Sequence, residues 1–279
     1  MEKQKTLYIC FIDYEKAFDR VYHGLIMDCL DRVDIDYRDK RIIQELYWKQ
    51  SAAVRVENGL SAEFPIKRGV RQGCVLSPKL FNLYTEFIFR EAEDLPGCLV
   101  GGKNFNNLPY ADDTVLMAES ESELQNIVDT VRSNSERCGL KMSVKKTTTM
   151  VISRDGLAEV KINVDGVQLE QVKRFKYLGQ IITDDGRCDA EVKTRIEIAR
   201  AKFVGMKDVL TSRQLNIKLR LRLIRCFILS TLLYSSETWT LNQDLCRRLE
   251  AFEMNIADIH LNRLKHIAEC VVTKTICEG

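Results

Sequence analysis

Apolar residues recur with two different periods in this chain, and the switches between them mark out its elements. "TLYICFID" (6–13) is dense in aromatic and β-branched residues and predicts a strand. Residues 16–32 and 38–50 carry apolar positions at helical spacing. In "AAVRVENGLSAEFPI" (52–66), Val54 and Val56 alternate with polar neighbours and Asn58-Gly59 suits a tight turn, which predicts a hairpin. Ser77-Pro78 opens a helix with Ser at the cap and Pro in the first turn, and Leu80, Leu83, Tyr84, Phe87 and Ile88 form one stripe along it. Residues 107–118 predict a second hairpin, and 121–138 a helix with Leu124, Ile127, Val128 and Val131 on one side. Strands return at 148–153, 160–164 and 174–182, with Asp165-Gly166 and Asp184-Asp185-Gly186 as turn signals. From about residue 188 the pattern is helical, with no internal repeat and no low-complexity tract. This order predicts an α+β domain, helices packed on one face of a mostly antiparallel sheet, followed by a helical C-terminal region.

Composition narrows the picture without naming a function. The 279 residues, 45% hydrophobic, suffice for one large domain or a domain with a smaller helical appendage. The formal net charge is only +2, so any nucleic-acid signal has to be local. None of the ten cysteines forms a C-x-x-C pair, which removes the usual structural zinc spacing and leaves reduced, mostly buried thiols as the expectation. The N-terminal "MEKQKTLYICFIDYEK" lacks a small-residue cleavage site, and "CFILSTLLYSS" is too short to span a bilayer. The expectation is an intracellular protein, nuclear or cytoplasmic, not secreted and without a membrane partner.

Local chemistry gathers in three segments. "FIDYEKAFDRV" (11–21) places Asp13 at the end of an apolar strand, where a carboxylate either holds a cation or caps the next helix. "GVRQGCVLSPKLFNLY" (69–84) sets an Arg-Gln pair between Gly69 and Gly73 and runs straight into a helix N-terminus, a loop able to face a sugar or phosphate. "LPYADDTVLMA" (108–118) puts two like charges, Asp112 and Asp113, side by side at a hairpin tip. Alone, each reads as a cap, a loop or a tip. Together they suggest carboxylates from separate strand ends meeting over a sheet, as two-metal phosphoryl or nucleotidyl transfer requires. Adjacent aspartates repel, and a divalent ion relieves that repulsion.

At this point the sequence resembles the reverse transcriptase of non-LTR (LINE-type) retrotransposons. The blocks "FIDYEKAFD", "GVRQGCVLSPKLFNLY", "YADD", "GLKMSVKKTTTMVIS" and "FKYLGQIITDDG" stand in that family's order, over residues 5 to about 254. The resemblance implies a right-hand palm fold and synthesis of DNA from dNTPs on an RNA template with a DNA primer. It implies two Mg2+ ions, with Mn2+ as the alternative. By the same resemblance, Asp13 and Asp112 are catalytic metal ligands, the carbonyl of Tyr14 is a further ligand, and Asp113 is the second catalytic aspartate, a less consistent metal ligand that helps shape the site. Phe18 falls at the position of the steric gate against a 2′-hydroxyl, although its spacing fits a core phenylalanine equally well. Gln72 matches a nucleotide-contacting glutamine, with Arg71 beside it. Lys146 matches a lysine near the triphosphate, the adjacent Lys145 leaving that choice open; such a lysine is a candidate general acid for pyrophosphate. Tyr177, Leu178 and Gly179 match the hairpin that grips the primer end.

Between 193 and 225 ten basic residues face only Glu197 and Asp208. Lys193, Arg195, Arg200, Lys202, Lys207, Arg213, Lys218, Arg220, Arg222 and Arg225 follow the primer-grip block where polymerases carry a thumb, so contacts to nucleic-acid backbone are expected. The expected domains are 1–186, palm with primer grip; 187–254, a helical thumb-like region; and 255–279, a divergent or truncated tail. His260, His266, Cys270 and Cys277 cluster loosely in that tail at a spacing that does not match a zinc knuckle. The match departs from the family in having no room before Asp13 for a fingers region, and no endonuclease. Expected partners therefore include a fingers or endonuclease region of a longer polyprotein. The competing expectation is an inactive remnant that at most binds nucleic acid.

Overall fold

The computed structural model describes residues 6–56, 59–153, 158–212 and 214–261. They fall into two compact units that part between Lys173 and Arg174. The hairpin expected to close the first domain therefore belongs to the unit of helices that follows it.

The first unit is built on a five-stranded sheet. Its strands are β1 (Leu7–Ile12), β2 (Asn107–Tyr110), β3 (Asp113–Ala118), β4 (Thr148–Ile152) and β5 (Glu170–Gln171), in the order β5-β4-β1-β3-β2. All neighbours are antiparallel except β4 and β5. β1 lies at the centre, Tyr8 facing Ala118 on one side and Val151 on the other. Central strands have no edge to leave bare, which suits the apolar run that β1 carries. Four helices, α1 (His23–Arg32), α2 (Tyr37–Trp48), α3 (Ser77–Phe89) and α4 (Glu121–Arg137), join the sheet in one core. In that core Cys10, Ile12, Leu116 and Val151 of the sheet lie with Leu80, Phe81, Tyr84, Ile88, Leu124, Ile127, Val128 and Val131 of the helices.

Capping chemistry sets the ends of α4. Ser120 Oγ accepts from the Glu123 N–H at 3.2 Å, one arm of an S-x-x-E box. At the other end Leu140 N–H donates to Ser135 O and Gly139 N–H to Glu136 O, the paired bonds of a Schellman stop. Gly139 sits at φ 77° with the Tyr22 ring against it, so a side chain here would be both strained and in collision. This stop turns the chain back toward the end of β1.

Several expectations differ in detail. The helix expected over 16–32 breaks after Ala17–Arg20, because Gly69 N–H donates to Val21 O and Tyr22 bridges Arg68. Ser77 does not cap α3; it lies inside the helix, with Leu76 at the cap position and its own hydroxyl 3.3 Å from Tyr47 Oη. Residues 51–65 do pair as short strands, but Val54 and Val56 are exposed, and Asn58 of the expected turn lies outside the described residues. Only Asn163–Val164 of the strand expected at 160–164 is extended and paired.

The second unit opens with a hairpin, β6 (Arg174–Tyr177) and β7 (Gln180–Thr183), and continues through α5 (Asp189–Gly205), α6 (Lys207–Thr211), α7 (Ile217–Leu223) and α8 (Gln243–Leu261). α5 buries Val192, Ile196, Ala199 and Phe203, and α8 buries Leu245, Leu249, Phe252 and Ile256. Both stripes step by three and four residues, the signature of helices that share a core. α8 runs past residue 254, after which the expected tail begins, and the tail residues His266, Cys270 and Cys277 lie outside the described residues. No described helix is long and apolar enough to cross a membrane.

Candidate active site

The carboxylates come from the ends of two paired strands. β1 and β3 pair as far as Ile12 with Thr114, so Asp13 and Asp113 are the next residues on each. Asp112 lies in the two-residue turn between β2 and β3, where Tyr110 pairs with Asp113. Ala111 holds a left-handed φ of 53° in that turn, a conformation that costs a residue with a Cβ about 1–2 kcal/mol. Asp112 and Asp113 are exposed, and Asp13 is half-buried.

Three negative charges here have little to balance them. Partial burial of its carboxyl raises the Asp113 pKa first, although the residue as a whole lies on the surface, and the charges of Asp112 and Asp13 raise it further. Asp13 Oδ1 is buried without a hydrogen-bond partner, and the nearest cation is the Lys146 ammonium at 3.6 Å. A buried acceptor that lacks a donor, beside two further carboxylates, is the environment a hard divalent cation fits. The aspartates are nonetheless not gathered into a finished coordination cluster: among the described residues no group of three or more His, Cys, Asp or Glu is placed to hold a metal.

The segment after the Schellman stop runs alongside Asp13. Glu15 N–H donates to Lys141 O, Ser143 N–H to Asp13 O, and Asp13 N–H to Thr147 Oγ1. These bonds bring Lys146 to Asp13, while neighbouring Lys145 has no ion pair among the described residues. Tyr14, whose carbonyl is an expected ligand, is anchored by a 2.8 Å bond between its hydroxyl and Ser135, and burial pushes its phenol pKa up.

The loop 69–73 is tied to the segment after β1. Val70 N–H donates to Phe18 O, and His23 Nε2 lies 2.9 Å from Gly69 O. A Cβ at Gly69 would come within 3.1 Å of the Asp19 backbone, and its φ of 97° also favours glycine. Gln72 and Arg71 are exposed, and Arg71 donates to Leu46 O at 3.2 Å. Phe18 is partly buried and stacks on the fully buried Phe81, ring centroids 4.4 Å apart. One face of Phe18 is thus a core contact, which the spacing could not tell from a gate.

In the second unit, Leu178 and Gly179 form the turn of the β6–β7 hairpin, Leu178 at φ 47° and Gly179 at φ 82°, with Tyr177 the last residue of β6. The basic residues divide. Lys207, Lys218 and Arg222 are exposed with no ion pair among the described residues, Arg200 pairs with Glu197, and Lys202 donates to Thr231 Oγ1. Arg220 is half-buried, its Nε without a partner, and Arg213 lies outside the described residues. Arg195 departs from the expectation of a phosphate contact: it is drawn inward onto Glu191, Gly179 O and the Tyr234 ring. Sequence reasoning missed Glu191 and Tyr234; the i, i+4 spacing of Glu191 and Arg195 was the available signal.

Residues 1–182 match the family model described as "Reverse transcriptase (RNA-dependent DNA polymerase)". The chain belongs to the reverse transcriptase family. Its relatives include the Pol polyprotein of the type-1 retrotransposable element R2 of Nasonia vitripennis, 30% identical over 74% of this chain and 21% of the relative. The type-2 element R2DM of Drosophila melanogaster is 31% identical over 66% of the chain and 18% of the relative. The mobile element jockey of Drosophila funebris supplies a third, 22% identical over 86% and 26%. These are the elements that a non-LTR reverse transcriptase should resemble, and the chain spans about a fifth to a quarter of their length. A solved telomerase structure from Candida tropicalis matches 92% of this chain and 43% of its own, with a TM-score of 0.51 at 14% identity. The fold is that of the polymerase right hand, and its family works with divalent metal ions.

Proposed function

We propose that this chain is the palm and thumb-like part of an RNA-directed DNA polymerase of a non-LTR element, joining dNTPs to a primer 3′-hydroxyl on an RNA template. The observation that carries the reading is the set of carboxylates at the adjoining ends of β1 and β3, with Asp13 Oδ1 lacking a donor and Asp113 raised by its neighbours. Asp13, Asp112 and the Tyr14 carbonyl would hold two Mg2+ ions, Asp113 tuning their charge. When bound, the ions would lower the pKa of the attacking hydroxyl and stabilise the leaving pyrophosphate.

The chain's own residues take the remaining roles. Lys146, now paired with Asp13, would turn to the triphosphate and donate a proton to the departing pyrophosphate. Arg71 and Gln72, exposed on a loop bonded to the Phe18 backbone, would contact the nucleotide, with the Phe18 ring against its sugar. The turn at Tyr177–Gly179 would hold the primer end. Arg200, Lys202, Lys207, Lys218, Arg220 and Arg222 would meet the duplex backbone without reading bases.

Primer extension on poly(rA)·oligo(dT) with Mg2+ tests the reading. The chain is expected to incorporate dTTP and its Asp112→Ala variant to lose that activity. Equal incorporation by the two would overturn it.

A further inference from the structure

The β6–β7 turn is held by side chains that no part of the chemistry above uses. Leu178 is left-handed, is not glycine, and is 37% exposed at the tip of the hairpin. A residue kept in that conformation on the surface needs surroundings that determine it. They are present. Leu178 O accepts from the Tyr234 hydroxyl at 3.1 Å, and Gly179 O accepts from Arg195 Nη2 at 2.5 Å. The Arg195 guanidinium lies over the Tyr234 ring, 4.5 Å from its centroid, and its Nε donates to Glu191 Oε1. The other Glu191 oxygen accepts from the Ile181 N–H of β7 at 2.8 Å. Gln180 Nε2 donates to Thr238 Oγ1, which ties down the last corner of the turn.

The Glu191 side chain is 1% exposed and that of Arg195 11%. Burying a carboxylate and a guanidinium is costly, and an apolar pair could fill the same space. What an apolar pair could not do is grip the hairpin on both sides of its turn. Both turn carbonyls, acceptors that would repel a phosphodiester, are instead taken up by internal donors.

We infer that Glu191, Arg195 and Tyr234 are positioning residues that lock the Leu178-Gly179 turn in one conformation, so that it meets the primer strand as a preformed surface. The inference rests on the polymerase reading for the identity of the strand, and on geometry alone for the lock.

Two variants of the full chain test it. Tyr234→Phe removes one hydroxyl and keeps the ring beside Arg195; Arg195→Lys keeps a charge for Glu191 and loses the fork to Gly179. Amide hydrogen exchange over 177–183 should quicken about three- to tenfold in each, the worth of one or two hydrogen bonds, with exchange in β1 and β4 unchanged. Affinity for a primed RNA template should fall by a similar factor while the KM for dNTP stays constant, a split that general destabilisation would not give. Unchanged hairpin exchange in both variants overturns the lock. A loosened hairpin with unaltered affinity for primed template overturns its role. A wild-type chain that binds primed template but incorporates nothing counts against the polymerase reading alone, and the exchange and binding measurements still decide the inference.

Discussion

Two hairpin turns in this molecule have the same length and opposite electrostatics. Tyr110–Asp113 and Tyr177–Gln180 each close a pair of strands through two residues, and each holds a non-glycine residue left-handed, Ala111 at φ 53° and Leu178 at φ 47°. At the first, like charges crowd together, Asp113 is pushed up, and Asp13 Oδ1 has no donor. At the second, both turn carbonyls and the neighbouring Ile181 amide are bonded to side chains of the same unit. A polar group left unsatisfied marks where a ligand supplies the missing partner, whereas one satisfied from within marks where the protein fixes its own shape. The strained backbone is common to both turns; the roles proposed for them, binding at the first and positioning at the second, rest on the partners of their polar groups.

The largest effect is expected at Asp112→Ala, which removes a charge from the first turn: incorporation in single-turnover extension should fall at least about 10^3-fold, the scale of several kcal/mol of transition-state stabilisation, with the melting temperature maintained. At the second turn the loss should appear in folding. Arg195→Ala leaves the Glu191 carboxylate buried without its partner, and urea unfolding of the second unit should show a loss of about 3–5 kcal/mol. An Arg195→Ala variant as stable as the wild type would end the contrast.

The sign reverses for Asp113→Asn. A carboxyl whose folded pKa lies above its unfolded value destabilises the folded chain as pH rises through that interval. Its removal should therefore stabilise the chain at pH 7 in EDTA, by no more than about 1 kcal/mol because the group lies at the surface. The advantage should vanish below the ordinary carboxylate range and shrink when Mg2+ is added, which thermal melts across pH would show. The smallest effect is expected at the exposed cations: Lys207→Ala and Lys218→Ala should each lower the log–log salt slope of nucleic-acid binding by about 1.

Much of the fold was legible because burial patterns are local. The stripe Leu124, Ile127, Val128 and Val131 predicts α4, and the polar pair Asp112-Asp113 as the tip of 107–118 predicts its hairpin, without knowledge of what either packs against. The failures fall where a distant segment decides. Arg195 and Lys207 look alike in a basic run, yet Glu191, Gly179 and Tyr234 draw only the first inward. Ser77 before Pro78 has the form of a cap, but its hydroxyl is taken up beside Tyr47. The continuous helix expected over 16–32 yields to bonds from the loop at 68–70.

The same division holds for the site. The carboxylates proposed as ligands, and their order along the chain, are legible in the blocks around Asp13 and Asp112, because strand ends and turns are encoded by neighbouring residues. Which lysine stands beside Asp13 and which ring backs Phe18 were decided by contacts between segments tens of residues apart or more, and which charges are internal was decided by packing between the hairpin and the helices that follow it. Periodicity records the face a residue presents; only packing determines what that face meets.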